Sequence, residues 1–246
     1  MAETVRLNLG ILGTNVYILT NPETKRSIII DPAARPDKID QEVKSRGLTP
    51  EAVMLTHGHF DHMGAARETA DLYGVPLWCS RADEAMLEDP NLNLSQIYTR
   101  PVSIHADYFY SEPAADRGVS AAAETHEVTA GAGSFADAGK EVPEYLKQIS
   151  DTRIPTCLGD MWVIDTPGHT TGSVCLYFPK HQMLMSGDTL FAGSVGRSDL
   201  PTGDEDAILK SLNEKLMKLP DETKVYPGHG PATQISLERM NNPFVW

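Results

Sequence analysis

The sequence has 246 residues, of which 41% are hydrophobic and 22% charged, so its composition is that of a globular protein rather than a disordered or fibrous one. Its formal net charge of −13 argues against general affinity for nucleic acid or anionic membranes, whose phosphates require clustered Lys and Arg. No apolar run approaches the roughly 20 residues of a membrane-spanning helix. The first residues also lack a secretory signal pattern. We therefore expect a soluble protein without nucleic-acid or membrane partners.

The cysteines indicate the compartment. Cys79, Cys157 and Cys175 are odd in number and widely spaced, and none belongs to a CxxC pair. This pattern favours free thiols over a disulfide framework or a cysteine zinc knuckle. A reducing cytoplasm is the location that such cysteine usage predicts.

The N-terminal part alternates between apolar runs and amphipathic segments. β-Branched and apolar runs predict short strands, and apolar residues spaced by four predict helices between some of them. Strand–helix–strand alternation is typical of an α/β fold, in which functional groups follow the carboxyl ends of strands. We predict strands at 5–9, 16–20, 27–30, 52–55 and 75–79, and helices at 36–46 and 63–73.

The pattern weakens between about 100 and 155, which we interpret as an insertion within a single domain of residues 1–246. The segment 114–139 is rich in Ala, Gly, Ser and acidic residues, and it has little periodicity. An aromatic cluster at Tyr108 and Tyr110 precedes it. We predict that this cluster folds over the functional edge as a lid and contacts substrate. The alternative is that the segment is a solvent-exposed loop without a function.

Regular patterns return in the C-terminal part. Apolar runs again predict strands, two of which form a hairpin. A long segment with apolar residues on one face predicts an amphipathic helix. The strands are predicted at 161–165, 174–178, 183–186 and 225–226, and the helices at 142–149 and 205–219.

Histidine and aspartate side chains follow several of these predicted strands. Four of them occur within six residues, at His57, His59, Asp61 and His62, directly after the strand at 52–55. The others follow later strands, so the edge of the sheet should bring all of them together. Imidazole and carboxylate ligands together suit Zn, Fe or Mn rather than Ca or Mg. The candidate ligands are His57, His59, Asp61, His62, His169, Asp188 and His229.

The spacing His-x-His-x-Asp-His at 57–62, followed in order by His169, Asp188 and His229, resembles the pattern of the metallo-β-lactamase superfamily. The resemblance implies a four-layer αβ/βα sandwich with the metals at one edge. It implies two divalent metal ions, most simply Zn. One would be held by His57, His59 and His169, the other by Asp61, His62 and His229, and Asp188 would bridge them.

The chemistry implied by this resemblance is hydrolysis by a metal-bridging hydroxide. Water held between two divalent ions has its pKa lowered toward neutrality, so a nucleophile exists at pH 7 without a serine or cysteine. Asp61 is the expected catalytic residue, because it would orient that hydroxide as well as bind metal.

The segments 190–199 and 226–230 narrow the resemblance to the hydroxyacylglutathione hydrolase (glyoxalase II)-like group, in its short bacterial form. Such enzymes hydrolyse a thioester, for example S-D-lactoylglutathione, to D-lactate and glutathione. Arg197 is a candidate for binding a substrate carboxylate, although it would equally well tie its loop to Asp199. The long form of glyoxalase II carries a C-terminal helical domain with glutathione-binding residues, and few residues follow His229 here, so the thiol carrier stays open.

Two alternatives remain from the sequence. Persulfide dioxygenases share the histidine cluster but use a single iron, which here would be held by His57, His169 and Asp188 in a facial triad. A lactonase or another ester hydrolase is the second alternative, because the same metal site serves other carbonyl substrates.

Overall fold

A computed structural model describes residues 1–111 and 142–246. The N-terminal half builds a six-stranded sheet in which strands neighbour one another in chain order. The first three strands are antiparallel, and parallel pairing begins where a helix first connects two strands. The strands are β1 (Glu3–Leu9), β2 (Thr14–Thr20), β3 (Arg26–Ile30), β4 (Thr49–Met54), β5 (Leu77–Cys79) and β6 (Tyr108–Phe109), and the helices are α1 (Pro36–Ser45), α2 (Phe60–Met63), α3 (Ala66–Tyr73), α4 (Glu84–Glu88) and α5 (Ser95–Tyr98).

The C-terminal half builds a second six-stranded sheet and a two-stranded ribbon. Its elements are α6 (Glu144–Lys147), β7 (Thr152–Thr156), β8 (Gly159–Asp165), β9 (Val174–Phe178), β10 (Met183–Gly187), the ribbon strands β11 (Leu190–Phe191) and β12 (Ser194–Val195), α7 (Glu205–Glu214), β13 (Lys224–Pro227), β14 (Thr233–Gln234) and α8 (Ile235–Asn241). The order in the sheet is β14-β13-β10-β9-β8-β7, and the pair β13–β10 is parallel.

Three apolar layers hold four layers of secondary structure together. Successive strand residues point to opposite faces, so Ile28 and Ile30 of β3 pack between the two sheets while Ile29 packs against the helices. α1 and α3 cover the outer face of the first sheet with residues such as Val43. α7 and α8 cover the second sheet in the same way, with Leu212 among the buried residues. This architecture confirms the αβ/βα sandwich.

The predicted helix at 63–73 is interrupted. α2 ends at Met63 and α3 begins at Ala66, because the chain between them passes close to the segment that follows β3. A Cβ on Gly64 would lie 2.5 Å from the Ala33 carbonyl oxygen, and the Ala65 amide donates to Pro32 O at 2.9 Å. The amphipathic pattern of residues 63–73 continues across Gly64, but the close approach of the chain at this glycine breaks the helix.

The predicted helix at 205–219 is also shorter than expected. α7 ends at Glu214, and Leu216–Lys218 forms a separate 3₁₀ turn. The apolar face is nevertheless the predicted one, because Leu212, Leu216 and Leu219 are all buried. The predicted helix at 142–149 is reduced to the single turn α6.

The flanks of the predicted insertion belong to the sandwich. Val102 and Ile104 pack against the apolar layer between the first sheet and its helices, and β6 forms the last strand of that sheet. On the other side, α6 packs on the second sheet and β7 is its edge strand. The segment 114–139, on which the insertion prediction mainly rested, lies outside the described residues.

The described residues contain no helix that combines the length and the hydropathy needed to span a membrane.

Candidate metal centre

All seven candidate ligands lie at one edge of the sandwich, where strands of both sheets end. The loop after β4 carries His57 and His59, α2 carries Asp61 and His62, and one residue each follows β8, β10 and β13. Within the described ranges their ligand atoms form three groups, each with all atoms within 4.8 Å of one another. The groups are His57, His59 and His169; His57, His62 and Asp188; and Asp61, His62 and His229.

Asp188 is at the centre of this cluster. Its Oδ1 lies 3.4 Å from His62 Nε2, and its Oδ2 lies 3.6 Å from His169 Nε2 and 3.5 Å from His229 Nε2. On one side, His59 Nδ1 is 3.0 Å from His169 Nε2. On the other, His229 Nε2 is 3.1 Å from Asp61 Oδ2. The Asp188 carboxylate is therefore close to His169, of the group with His57 and His59, and to His62 and His229, of the group with Asp61.

The cluster leaves buried polar atoms without protein partners. Among the described residues, Nε2 of His57, His59 and His62 and Oδ1 of Asp188 are buried and make no hydrogen bond. An unpaired buried polar atom costs about 1–3 kcal/mol, so such atoms need a ligand. A set of imidazole nitrogens and carboxylate oxygens fits divalent Zn, Fe or Mn. The residues present therefore fit bound metal ions.

Electrostatics favour the ligand forms of these side chains. Burial, with the neighbouring His169, lowers the pKa of His59 to about 3, and burial with His62 lowers the pKa of His57 well below its usual range. Burial opposes the ionisation of Asp61, but His62, His229 and Thr14 together outweigh it and lower the pKa of the carboxyl. Metal binding requires neutral imidazole and ionised carboxylate, so these groups are ready for metal at neutral pH.

The pKa of His62 is raised by the negative charge around it. Burial lowers its pKa, but the carboxylates of Asp188, Asp61 and Asp31 raise it well above the usual value. Three carboxylates around one imidazole attract positive charge, which a proton supplies when no metal does. A divalent cation would replace that proton.

A second set of contacts fixes which nitrogen of each imidazole faces the cluster. His62 Nδ1 donates to Asp31 Oδ2 at 2.9 Å, and His169 Nδ1 donates to the Arg197 carbonyl at 2.7 Å. The Thr56 hydroxyl donates to Asp31 at 2.7 Å, which leaves its oxygen to accept from His57 Nδ1 at 3.1 Å. Such contacts hold the Nε2 atoms toward a metal site.

The sequence patterns did not single out Asp31, although a signal was present. Asp31 directly follows β3, just as the candidate ligands directly follow other strands. It is 2% exposed, and the Thr56 amide also donates to it at 2.8 Å. Thr14 was missed as well, and its hydroxyl donates to Asp61 Oδ2 at 2.9 Å.

Asp83 is a third residue that the patterns missed, and no local signal marks it. Its buried carboxylate accepts from the Gly58 amide at 2.9 Å, the Thr170 hydroxyl at 2.8 Å and the Gly172 amide at 2.7 Å. It therefore joins the loop of His57 and His59 to the loop of His169. Burial raises its pKa despite these donors.

Gly228 permits the close approach of the His229 loop to the cluster. A Cβ at this position would collide with the Asp188 carboxylate and would lie 2.5 Å from His62 Cε1. The glycine before His229 is thus required by packing against two candidate ligands.

An open cleft of about 380 Å³ lies over the cluster. Arg197 lines it, as predicted for a substrate contact, but its guanidinium donates twice to Asp199, both at 2.7 Å. Apolar residues make up much of the remaining lining. The cleft is lined by Leu12, His59, Phe60, Asp61, Leu94, Tyr98, His169, Asp188, Phe191, Arg197, Leu200 and His229.

The prediction that Tyr108 and Tyr110 contact substrate is wrong for the positions described. Tyr110 is 3% exposed in the core between the sheets, and its hydroxyl donates to Leu55 O at 2.9 Å. Tyr108 belongs to β6 and packs against the same core beside Trp78, with ring centroids 4.9 Å apart. The aromatic cluster ends a sheet instead of covering the cleft.

Comparison with known proteins agrees with this architecture. The chain is 33% identical over 241 residues to the probable metallo-hydrolase YqgX of Bacillus subtilis, covering 98% of this chain and 96% of that protein. It is 27% identical over 223 residues to the hydroxyacylglutathione hydrolase GloC of Haemophilus influenzae, covering 91% and 89% of the two chains.

Two solved structures resemble it over almost their whole length. The BLEG-1 B3 metallo-beta-lactamase has a TM-score of 0.78 at 33% identity, and TTHA1623 in a di-iron-bound form has a TM-score of 0.70 at 30% identity. In both cases the match covers 98% of this chain and 99% of the other. The family model of the metallo-beta-lactamase superfamily matches residues 9–229, and the chain belongs to that superfamily of metallo-hydrolases.

Proposed function

We propose that this metallo-hydrolase cleaves thioesters, of the hydroxyacylglutathione type, with two divalent metal ions. The observation that carries the two-ion part is the position of Asp188, whose carboxylate lies within 3.6 Å of His169 in one ligand group and of His62 and His229 in the other. A carboxylate in that position serves both ligand groups at once. A single-ion site would leave Asp61, His62 and His229 assembled without a role.

The residues divide the work as follows. His57, His59 and His169 would hold one ion, Asp61, His62 and His229 the other, and Asp188 would be shared. The ions supply activation of water at neutral pH and polarisation of the substrate carbonyl. Asp61 is fixed by Thr14 at one oxygen, so its carboxylate keeps one orientation toward the reacting water. Zinc is the metal that we propose first, with iron and manganese compatible with the same ligands.

Thioesters are favoured over other carbonyl substrates by the segments around Arg197 and His229, which resemble the glyoxalase II-like group, and by the similarity to GloC. Hydrolysis adds the water oxygen to the acyl carbon, breaks the C–S bond and leaves the water proton on the thiol. The substrate is a small molecule, and the free thiols of the three cysteines suit a cytoplasmic location.

The test combines metal analysis with parallel assays. Purified protein is analysed for bound metals and assayed for thiol release from S-D-lactoylglutathione, hydrolysis of a β-lactam, hydrolysis of a lactone, and oxygen uptake with glutathione persulfide. The proposal expects two metal ions per chain and thiol release as the fastest reaction. One iron per chain with oxygen uptake would overturn it.

The variant His229→Ala sharpens this test. His229 belongs to the ligand group that a mononuclear iron site does not use. We expect thiol release to fall by at least about 100-fold, because one ion loses a ligand. If oxygen uptake is present in the parent and survives in this variant, the mononuclear alternative is correct.

A further inference from the structure

The walls of the cleft are apolar on both sides of the ligand cluster. Phe60 and Tyr98 stack beside His59 and Asp61, with ring centroids 5.5 Å apart and an angle of 11° between the rings. On the other side, Phe191 lies edge-on to His229, with centroids 6.3 Å apart. A bound carbonyl would therefore have apolar surface next to it. The apolar lining residues are Leu12, Phe60, Leu94, Tyr98, Phe191 and Leu200.

Two of the apolar lining residues are half exposed, and each has an exposed apolar neighbour in the chain. Leu12 at the tip of the β1–β2 hairpin is 49% exposed, and its neighbour Ile11 is 66% exposed. Tyr98 is 49% exposed as well, and its neighbour Ile97 is 72% exposed. Each exposed apolar side chain is ordinary alone, but Leu12 and Tyr98 both line the same functional cleft, and exposed apolar residues at such a cleft mark a surface that a ligand covers.

Charge in the cleft points in the same direction. Among the lining residues, Arg197 supplies the cationic side chain outside the ligand set, and Asp199 accepts two hydrogen bonds from one edge of its guanidinium. The lining carboxylates, Asp61 and Asp188, belong to the candidate metal site. The described lining therefore offers much apolar area and little unpaired charge to the part of a substrate that lies away from the reacting carbonyl.

We propose that, among the thioesters it cleaves, the protein prefers those with an apolar alkyl or aryl group next to the reacting carbonyl, hydroxyacyl groups with such a side chain included, and that Leu12 and Tyr98 determine this preference. The inference rests on the proposed thioester hydrolysis. The apolar group lies on either the acyl side or the thiol side of the C–S bond. A methylene buried in the cleft then raises kcat/KM about fourfold, as the transfer free energy of a methylene predicts.

The first experiment varies each side of the thioester separately. One series joins acetyl, butyryl, hexanoyl and phenylacetyl groups to N-acetylcysteamine, a small neutral thiol. The other joins acetyl to N-acetylcysteamine, hexanethiol and benzyl mercaptan. We expect kcat/KM to rise at least tenfold from the smallest to the largest member in one series, which identifies the side. Values that stay flat in both series would overturn the inference.

The second experiment tests the two residues. Leu12→Ser and Tyr98→Ser should lower the ratio of kcat/KM for the preferred apolar substrate to that for acetyl-N-acetylcysteamine at least fivefold. Leu237→Ser is the matched control, because Leu237 is 48% exposed on α8 and does not line the cleft. Thermal melts confirm that the variants remain folded. An unchanged ratio in both cleft variants would overturn the assignment.

A binding measurement separates failure of this inference from failure of the proposed function. Calorimetry compares S-hexyl and S-methyl N-acetylcysteamine, which are thioethers that cannot be hydrolysed. We expect the hexyl compound to bind at least tenfold more tightly, and Leu12→Ser to reduce that difference. Absence of hydrolysis for every thioester would refute the proposed function while this binding preference still stood. Hydrolysis without any preference for the hexyl compound would refute the inference alone.

Discussion

The two halves of the sandwich contribute to the metal centre in different ways. The N-terminal sheet supplies four candidate ligands from one continuous segment, the loop after β4 and the adjoining α2. The C-terminal sheet supplies three, each from a different strand end, at His169, Asp188 and His229. The first arrangement is local in sequence, and the second exists only when the second sheet is folded.

This difference determines how the centre depends on the fold. Every ligand group draws on both halves, so each bound ion would connect the two sheets. Protein contacts connect them as well, because the Val174 amide donates to Thr56 O at 2.9 Å and the Asn15 amide donates to Gly228 O at 2.7 Å. The local motif supplies most of the ligands, while the junction between the halves sets their geometry.

Loss of the central C-terminal ligand should have the largest effect. Asp188→Ala removes the carboxylate that faces both ligand groups, so we expect kcat/KM to fall by on the order of 10³-fold or more, with loss of bound metal. Metal analysis and thioester assays measure both. The control is Asp37→Asn, an exposed carboxylate on α1 paired with Arg35, which should retain both values. Full metal content and activity in Asp188→Ala would refute the shared role of this residue.

Substitution of Asp31, which holds His62 and Thr56 in the N-terminal half, should have the second-largest effect. Asp31→Asn keeps the size of the side chain but weakens the acceptor for His62 Nδ1 and for Thr56. We expect metal affinity to fall about 10- to 100-fold, as for other contacts that orient a metal-bound histidine. Competition with a chromophoric chelator measures it. Unaltered affinity would mean that the loop of His57 to His62 is held by its own backbone alone.

The contrast between the halves also explains what the sequence could predict. The cluster at 57–62 is readable because its members are adjacent, and His169, Asp188 and His229 because each follows a recognisable strand. The same logic would have found Asp31, which follows β3. Asp83 has no such pattern, because its partners lie 25 to 89 positions away in the chain.

The errors have a physical origin as well. The aromatic cluster around Tyr108 and Tyr110 stands in an otherwise polar segment, which suggests a substrate contact, whereas a two-residue strand is too short to show alternation. The break at Gly64 depends on the approach of the Ala33 carbonyl, which helix periodicity does not report. The order of strands and helices indicates an α/β fold and the resemblance to the superfamily implies its four layers, while contacts between distant segments set these details.

A substitution of Asp83 tests the contact between the loop of His57 and His59 and the loop of His169. Asp83→Asn keeps the shape, but an amide cannot accept from all three donors, so one buried N–H loses its partner at a cost of about 1–3 kcal/mol. We expect lower stability in urea and about a tenfold fall in kcat with little change in KM, because the two ligand loops shift relative to each other. Asp83→Ala should lower both stability and kcat further, so that Asp83→Asn retains part of each. Equal loss in both variants would contradict the positioning role.

The smallest effect is expected at Arg197, which belongs to the C-terminal half but lies outside the ligand groups. Its side chain is 57% exposed and is held by the exposed Asp199, an arrangement that contributes little to stability. We therefore expect Arg197→Ala to leave the urea midpoint unchanged and to lower kcat/KM for lactoylglutathione less than fivefold, since the guanidinium is already paired. Asp199→Ala is the informative partner variant, because it frees the guanidinium and should raise activity on a carboxylate-bearing thioester relative to a neutral one. A 100-fold loss in Arg197→Ala, confined to the carboxylate-bearing substrate, would show instead that Arg197 leaves Asp199 to bind substrate, and the apolar cleft would then be only part of its specificity.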